Sequence, residues 1–327
     1  MKREKLNRLR DFWRTAKWVV WGLIAGAFVT FVVFYLLPST RSRWNAAEEG
    51  KWTVFTEAAA PRAESRAFLS SYPAAAEGWY RDIGLAAPAP ESLGLITFAA
   101  WGGYGALDMN DPRIKARLSS EPSSDLRFVA MAAKSFRLNE PIASSFVTND
   151  GRYLFLDLKG DTGAAVVHGL AHVLARRNVP PAIAGKIGYA SGPSYDPVMN
   201  RSFKFIDETA ALFLSDLFLS GAKSTGPDAL GRYGSFIAAR YAPEGPVFMD
   251  ENLSFTFSSD PRTPRYFAGA ARLALGVSKE KGLAAMVEFC SRFLSGRYDS
   301  FDELCAPLGG NLGDLLERHL GSRAVPE

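Results

Sequence analysis

The stretch AAVVHGLAHVLARR, residues 164–177, decides how this chain is read. Its small and apolar residues recur with a helical period, Asp161 and Thr162 stand before it as caps, and Asn178, Pro180 and Pro181 follow to stop it. His168 and His172 lie four residues apart inside the helix, about one turn, so both imidazoles leave the same face and can reach one metal ion. The chain holds only three histidines, which makes the spacing informative. The pair reads either as zinc ligands or as two hydrogen-bonded histidines packed in the interior.

A tetrahedral zinc site with one exchangeable position needs a third protein ligand. Glu208, in FKFIDETAALFLSDLF (203–218), is the candidate, because a carboxylate on an apolar helical face is costly unless it is paired or bound to a cation. With that helix expected to run from about 203 to 219, Asp207 and Glu208 also read as acids near its start that favour the helix dipole.

Around these two helices the pattern is a small sheet followed by helices. AAAEGWYRDIGL (74–85) predicts an amphipathic helix, and GLITFAAW (94–101) and RYLFLDLK (152–159) predict strands. Beyond Lys159 the period changes from two to 3.6, with helices expected near 228–241, 266–275 and 279–294 and two short ones after them. Ser300 with Glu303 has capping-box spacing, and Asn311 is placed to cap the last helix.

At the other end, WVVWGLIAGAFVTFVVFYLL (18–37) carries no charge over a length that matches a bilayer core, and Pro38 follows. Seven of the 38 basic residues but only two of the 34 acidic ones lie in the first 17 positions, which leaves the remainder near neutral. The expectation is a single-pass membrane protein: 1–17 a cytoplasmic basic tail, 18–37 a transmembrane helix in the lipid bilayer, 38–65 a juxtamembrane linker, and 66–327 a periplasmic or extracellular domain. A cleaved signal peptide is the rival reading, set against the length of the apolar stretch and the lack of a small-x-small site in PSTRSRW. The near-neutral remainder argues against a nucleic-acid partner. Cys290 and Cys305 read equally as a disulfide or as two buried thiols. Walker, G-x-S-x-G and G-x-G-x-x-G motifs are absent.

HGLAHVL (168–174), followed by Glu208 in DETAA, resembles the HELAHxL and E-G-x-A segments of gluzincin-type zinc metallopeptidases, in particular the bacterial peptidase-MA-like domains. Looser likeness extends over residues 70–320, through LALGVSKEKGLAAMVEFCSRFLSG and SFDELCAPLGGNLGDLLERHL. The resemblance implies an α+β, zincin-like domain with a small mixed sheet and a mainly helical C-terminal half. It implies zinc on His168, His172 and Glu208, and Tyr266, with Tyr241 behind it, as a transition-state donor. Both tyrosines read otherwise as packing residues.

Where that family has the Glu of HExxH, this chain has Gly169. That Glu is the general base on zinc-bound water, and such groups contribute roughly 10²–10⁴-fold. The expectation is therefore a zinc-binding pseudopeptidase that holds a polypeptide or envelope partner in its cleft. The alternatives are an active peptidase with a substitute base, Asp207 or Asp161, and a metal-free structural ectodomain. Glycine costs a helix about 1 kcal/mol relative to alanine, so Gly169 is expected to leave room near the metal.

Overall fold

Small side chains let two helices lie close together, and the rest of the chain is built around them. The computed structural model describes residues 13, 16–29, 44–49, 52–57, 62–86, 93–98, 145–147, 151, 153–157, 162–188, 195–221, 227–241 and 263–321. In chain order the elements are β1 (Trp44–Glu49), β2 (Trp52–Glu57), α1 (Arg62–Asp82), β3 (Leu93–Phe98), β4 (Ser145–Val147), β5 (Tyr153–Asp157), α2 (Thr162–Arg177) and α3 (Pro181–Ala184). They continue with α4 (Pro197–Leu219), α5 (Pro227–Arg240), α6 (Thr263–Lys281), α7 (Leu283–Leu294), α8 (Phe301–Cys305), a 3-10 turn (Ala306–Leu308) and α9 (Leu312–Leu320).

Helices α2 and α4 are buried nearly all round. Ala165, Ala171 and Ala175 of α2 and Ala210 and Ala211 of α4 are inaccessible or almost so, and such short side chains permit close helix approach. Around them pack Tyr80 of α1, whose hydroxyl donates to the Val167 carbonyl, and Trp79, edge-on to Phe218 at 5.5 Å. The C-terminal helices close the other side. Phe203 meets Phe293 of α7 at 5.6 Å and Phe301 of α8 at 6.5 Å, and the Asn178 side chain donates to the Leu294 carbonyl at 2.7 Å. The α7–α8 turn passes so close to Asn178 that a Cβ at Gly296, where φ is +68°, would collide with the Asn178 carbonyl oxygen.

The strands form one five-stranded layer in the order β1-β2-β3-β5-β4. β1 and β2 pair antiparallel, β2, β3 and β5 run parallel, and β4 is an antiparallel edge. Helix α1 makes the crossover from β2 to β3. Trp52, Val147 and Leu154 of the strands join the core that the helices build.

Two expectations are corrected. The α+β, zincin-like fold with its sheet behind an N-terminal transmembrane helix gives way to a mostly helical architecture. Its physical reason is that α2 and α4 are buried on several faces with the other described helices arranged around them, so the core is helix against helix. The membrane span at 18–37 and the single-pass localisation also fall, because no helix among the described residues is long and apolar enough to cross a membrane. Residues 16–29 are helical among the described residues. Residues 30–37 of the expected span lie outside the described residues.

Removing Phe203, fully buried between α4, α7 and α8, should cost about 3–5 kcal/mol as Phe203→Ala, read from the midpoint of urea unfolding.

Candidate metal centre

His168 and His172 leave the same face of α2 toward α4, and Glu208 projects from α4 between them. The His168 and His172 Nε2 atoms are 3.0 Å apart, Glu208 Oε1 is 3.5 Å from the first, and Oε2 is 3.5 Å from the second. All three side chains are buried, and their donor atoms lie within 4.8 Å of one another, close enough to hold one metal ion. Two donors on a tetrahedral zinc ion with bonds of 2.0–2.1 Å sit about 3.3 Å apart. The observed spacings bracket that value.

The carboxylates are not at a helix start. Helix α4 begins at Pro197, where the Asp196 side chain accepts from the Val198 and Met199 amides at 2.9 and 3.1 Å. Asp207 and Glu208 therefore lie in the middle of the helix, beyond the reach of its dipole, and both are buried. Burial of this kind has to be offset by partners.

Asp207 finds them in α2. Its Oδ1 is 2.7 Å from His172 Nδ1, and its Oδ2 is 3.3 Å from both Nε and Nη2 of Arg176. Arg176 lies one more turn along the face that carries the histidines, and its Nη1 donates to the Val147 carbonyl of β4. A carboxylate behind the ring fixes its orientation and leaves Nε2 for a ligand, as is common at metal-binding histidines. His168 is backed in turn by Ser215 Oγ, 3.4 Å from its Nδ1. One helix thus supplies the third donor and a partner for each ring.

The charges follow this geometry. Burial raises the cost of the Asp207 charge, but His172 and Arg176 hold its carboxyl below the usual range. Burial also pushes the His172 imidazolium down, and the charges and hydrogen bonds of Asp207 and Glu208 outweigh it, lifting the ring to about 9. His168, where burial dominates, is pushed down to about 4. Both rings must be neutral to hold zinc, so an arriving ion would displace a proton from His172.

Near Glu208 on the same helix, Asp216 is completely inaccessible. Tyr241 donates to its Oδ2 at 2.9 Å, and Arg240 lies 3.6 Å from its Oδ1 while stacking over Phe236 and Tyr241. Burial pushes this carboxyl up to about 6, against the influence of Arg240 and Tyr241.

The remaining sequence candidates fall as follows. Tyr266 of α6 is buried edge-on against Phe205 at 5.3 Å, near enough to Glu208 and Asp207 for their charges to add to burial in raising its phenol. Tyr241 is engaged by Asp216. Asp161 lies outside the described residues. Cys290 and Cys305 are buried free thiols. His319 is on α9, its Nε2 3.5 Å from Glu280 of α6. Gly169 faces β5, and a Cβ there would run into the Leu154 side chain.

No family model matches the chain, and no curated protein matches it. Among solved structures, an M1 zinc metallopeptidase from Deinococcus radiodurans is similar at 12% identity and a TM-score of 0.49, over 88% of this chain and 53% of that one. The chain thus spans about half the length of that structure.

Because the Asp216 carboxyl is raised above the ordinary 3.8, the folded state takes up its proton more readily than the unfolded one. Its stabilisation is full below about pH 4 and is lost as pH rises through about 6. Asp216→Asn stays neutral. Between pH 4 and 7 the parent should therefore lose on the order of 2–3 kcal/mol relative to the variant, measured by chemical unfolding across pH.

Proposed function

We propose that this protein binds zinc through His168, His172 and Glu208 in a metallopeptidase-type site, and that it holds a polypeptide rather than hydrolysing one. The observation that carries the metal reading is the donor cluster, three buried ligand atoms at zinc-like spacing with both rings oriented from behind by α4. Each ring has a group of α4 beside its Nδ1, Asp207 Oδ1 at 2.7 Å and Ser215 Oγ at 3.4 Å, and both Nε2 atoms turn toward one carboxylate.

The non-hydrolytic reading rests on Gly169. Zinc would supply Lewis acidity and a bound water, but peptide hydrolysis also needs a group to take a proton from that water and deliver it to the leaving amine. Asp207 does not favour a substitute base, since both its oxygens are committed to His172 and Arg176. Tyr266, the candidate transition-state donor, serves in this reading as a buried wall behind the carboxylates. What a site of this kind keeps after losing its base is a cleft that binds, and a polypeptide is the ligand class that the motif resemblance implies.

Purified full-length chain expressed in zinc-replete medium should carry about one equivalent of zinc by elemental analysis. His168→Ala and Glu208→Ala should lose it, and Asp207→Ala should weaken it by about 10–100-fold. Less than about a tenth of an equivalent in the parent would sink the metal reading. The parent should leave casein and peptide libraries intact while retaining labelled casein peptides in an anisotropy titration; chelator-sensitive cleavage would overturn the non-hydrolytic reading.

A further inference from the structure

The gap at position 169 is filled from the sheet. A Cβ built on Gly169 would overlap Leu154 Cδ1 and would lie 2.8 Å from Cδ2, both closer than such atoms approach, and a tight 3.1 Å from Cγ. Leu154, on β5, has no accessible surface, and it sits within the core that α2 and α4 share. The fit is tightened from both sides. At Gly151, where φ is +68°, a Cβ would be 2.7 Å from the Val173 carbonyl oxygen, and Arg177 donates from Nε to the Gly151 carbonyl at 3.0 Å. One glycine on the helix thus admits the strand's leucine, and one glycine before the strand admits the helix backbone.

We propose that Leu154 and Gly169 form a knob and socket that seals the sheet-facing side of the His168–His172 turn, so that Leu154 occupies the space a base carboxylate at 169 would need. Loss of the base is then a two-position property of the fold. Replacing Gly169 alone cannot restore it, and access to the metal ligands is confined to the side away from β5. The proposal rests on the reading of this turn as a metal site that lacks its base. Its test reads packing without metal, so the failure of one is distinguishable from the failure of the other.

The test is a double-substitution cycle on the full chain, by thermal unfolding with chelator present. Alanine in place of glycine inside a helix ordinarily stabilises it. Here Gly169→Ala should instead lower Tm by about 5 °C or more, through overpacking against Leu154. Leu154→Ala alone should lower Tm by leaving a cavity, and Gly169→Ala in that background should raise Tm again. Likewise, Gly169→Glu should give soluble, cooperatively unfolding protein only in the Leu154→Ala background. A Gly169→Ala Tm at or above the parent's, losses that add in the double variant, or a double variant no better folded than Gly169→Ala would each overturn the proposal.

Discussion

Two adjacent carboxylates in the middle of a buried helix set the terms for the rest of this structure. Asp207 and Glu208 lie where neither water nor the helix dipole can stabilise them, so the facing helix has to present groups that can. Helix α2 does this along a single stripe. His168, His172 and Arg176 recur at four-residue intervals, and the stripe meets α4 with its three polar side chains opposite two acids. The alanines flanking these positions bring the helices near enough for contacts at 2.7–3.5 Å. Helix pairing and site formation are here one event.

The same stripe fastens the sheet. Arg176 bonds Asp207 on one side and the Val147 carbonyl of edge strand β4 on the other, and Arg177 bonds the Gly151 carbonyl at the entry to β5. With Leu154 seated against Gly169, the strand layer is held to α2 at several points along its length. A carboxylate needing a counter-charge in the core is thus coupled, through one guanidinium, to the placement of edge strand β4. Displacement of β4 would be felt at the His172 ring.

Much of the site was legible because it is periodic. An i, i+4 histidine pair defines a face whatever the tertiary structure does, and a carboxylate in FKFIDETAALFL demands a partner. Arg176 was legible on the same grounds, being the next member of the series 168, 172, 176, but a terminal arginine reads by default as a solvated helix end. The start of α4 was misread because VMNRS looks polar; Asp196 and Pro197, a cap followed by a first-turn proline, were the better signal. Residues 44–49 and 52–57, expected as linker, form two antiparallel strands, the second of which also pairs with β3, a non-local cause that no local pattern records. The apolar run at 18–37 has the composition of a span, yet no helix among the described residues is long and apolar enough to cross a membrane. Gly169 was read as leaving room, and the structure shows that room taken by a residue 15 positions earlier, which only the fold brings near.

The charge balance of the site bears on what it can accept. The His172 ring lies between Asp207 and Glu208, which favour its charged form against burial, with Arg176 behind. A protonated ring would set two cations against two carboxylates. A divalent ion that displaces the His172 proton would raise the net charge by one, in a place shielded from water. A buried excess positive charge is costly in itself and strongly favours an anionic fourth donor. In a peptidase that donor is a bound hydroxide poised by the base. On the proposed reading, with Leu154 packed against position 169, an anionic group of a bound chain would meet the same electrostatic need.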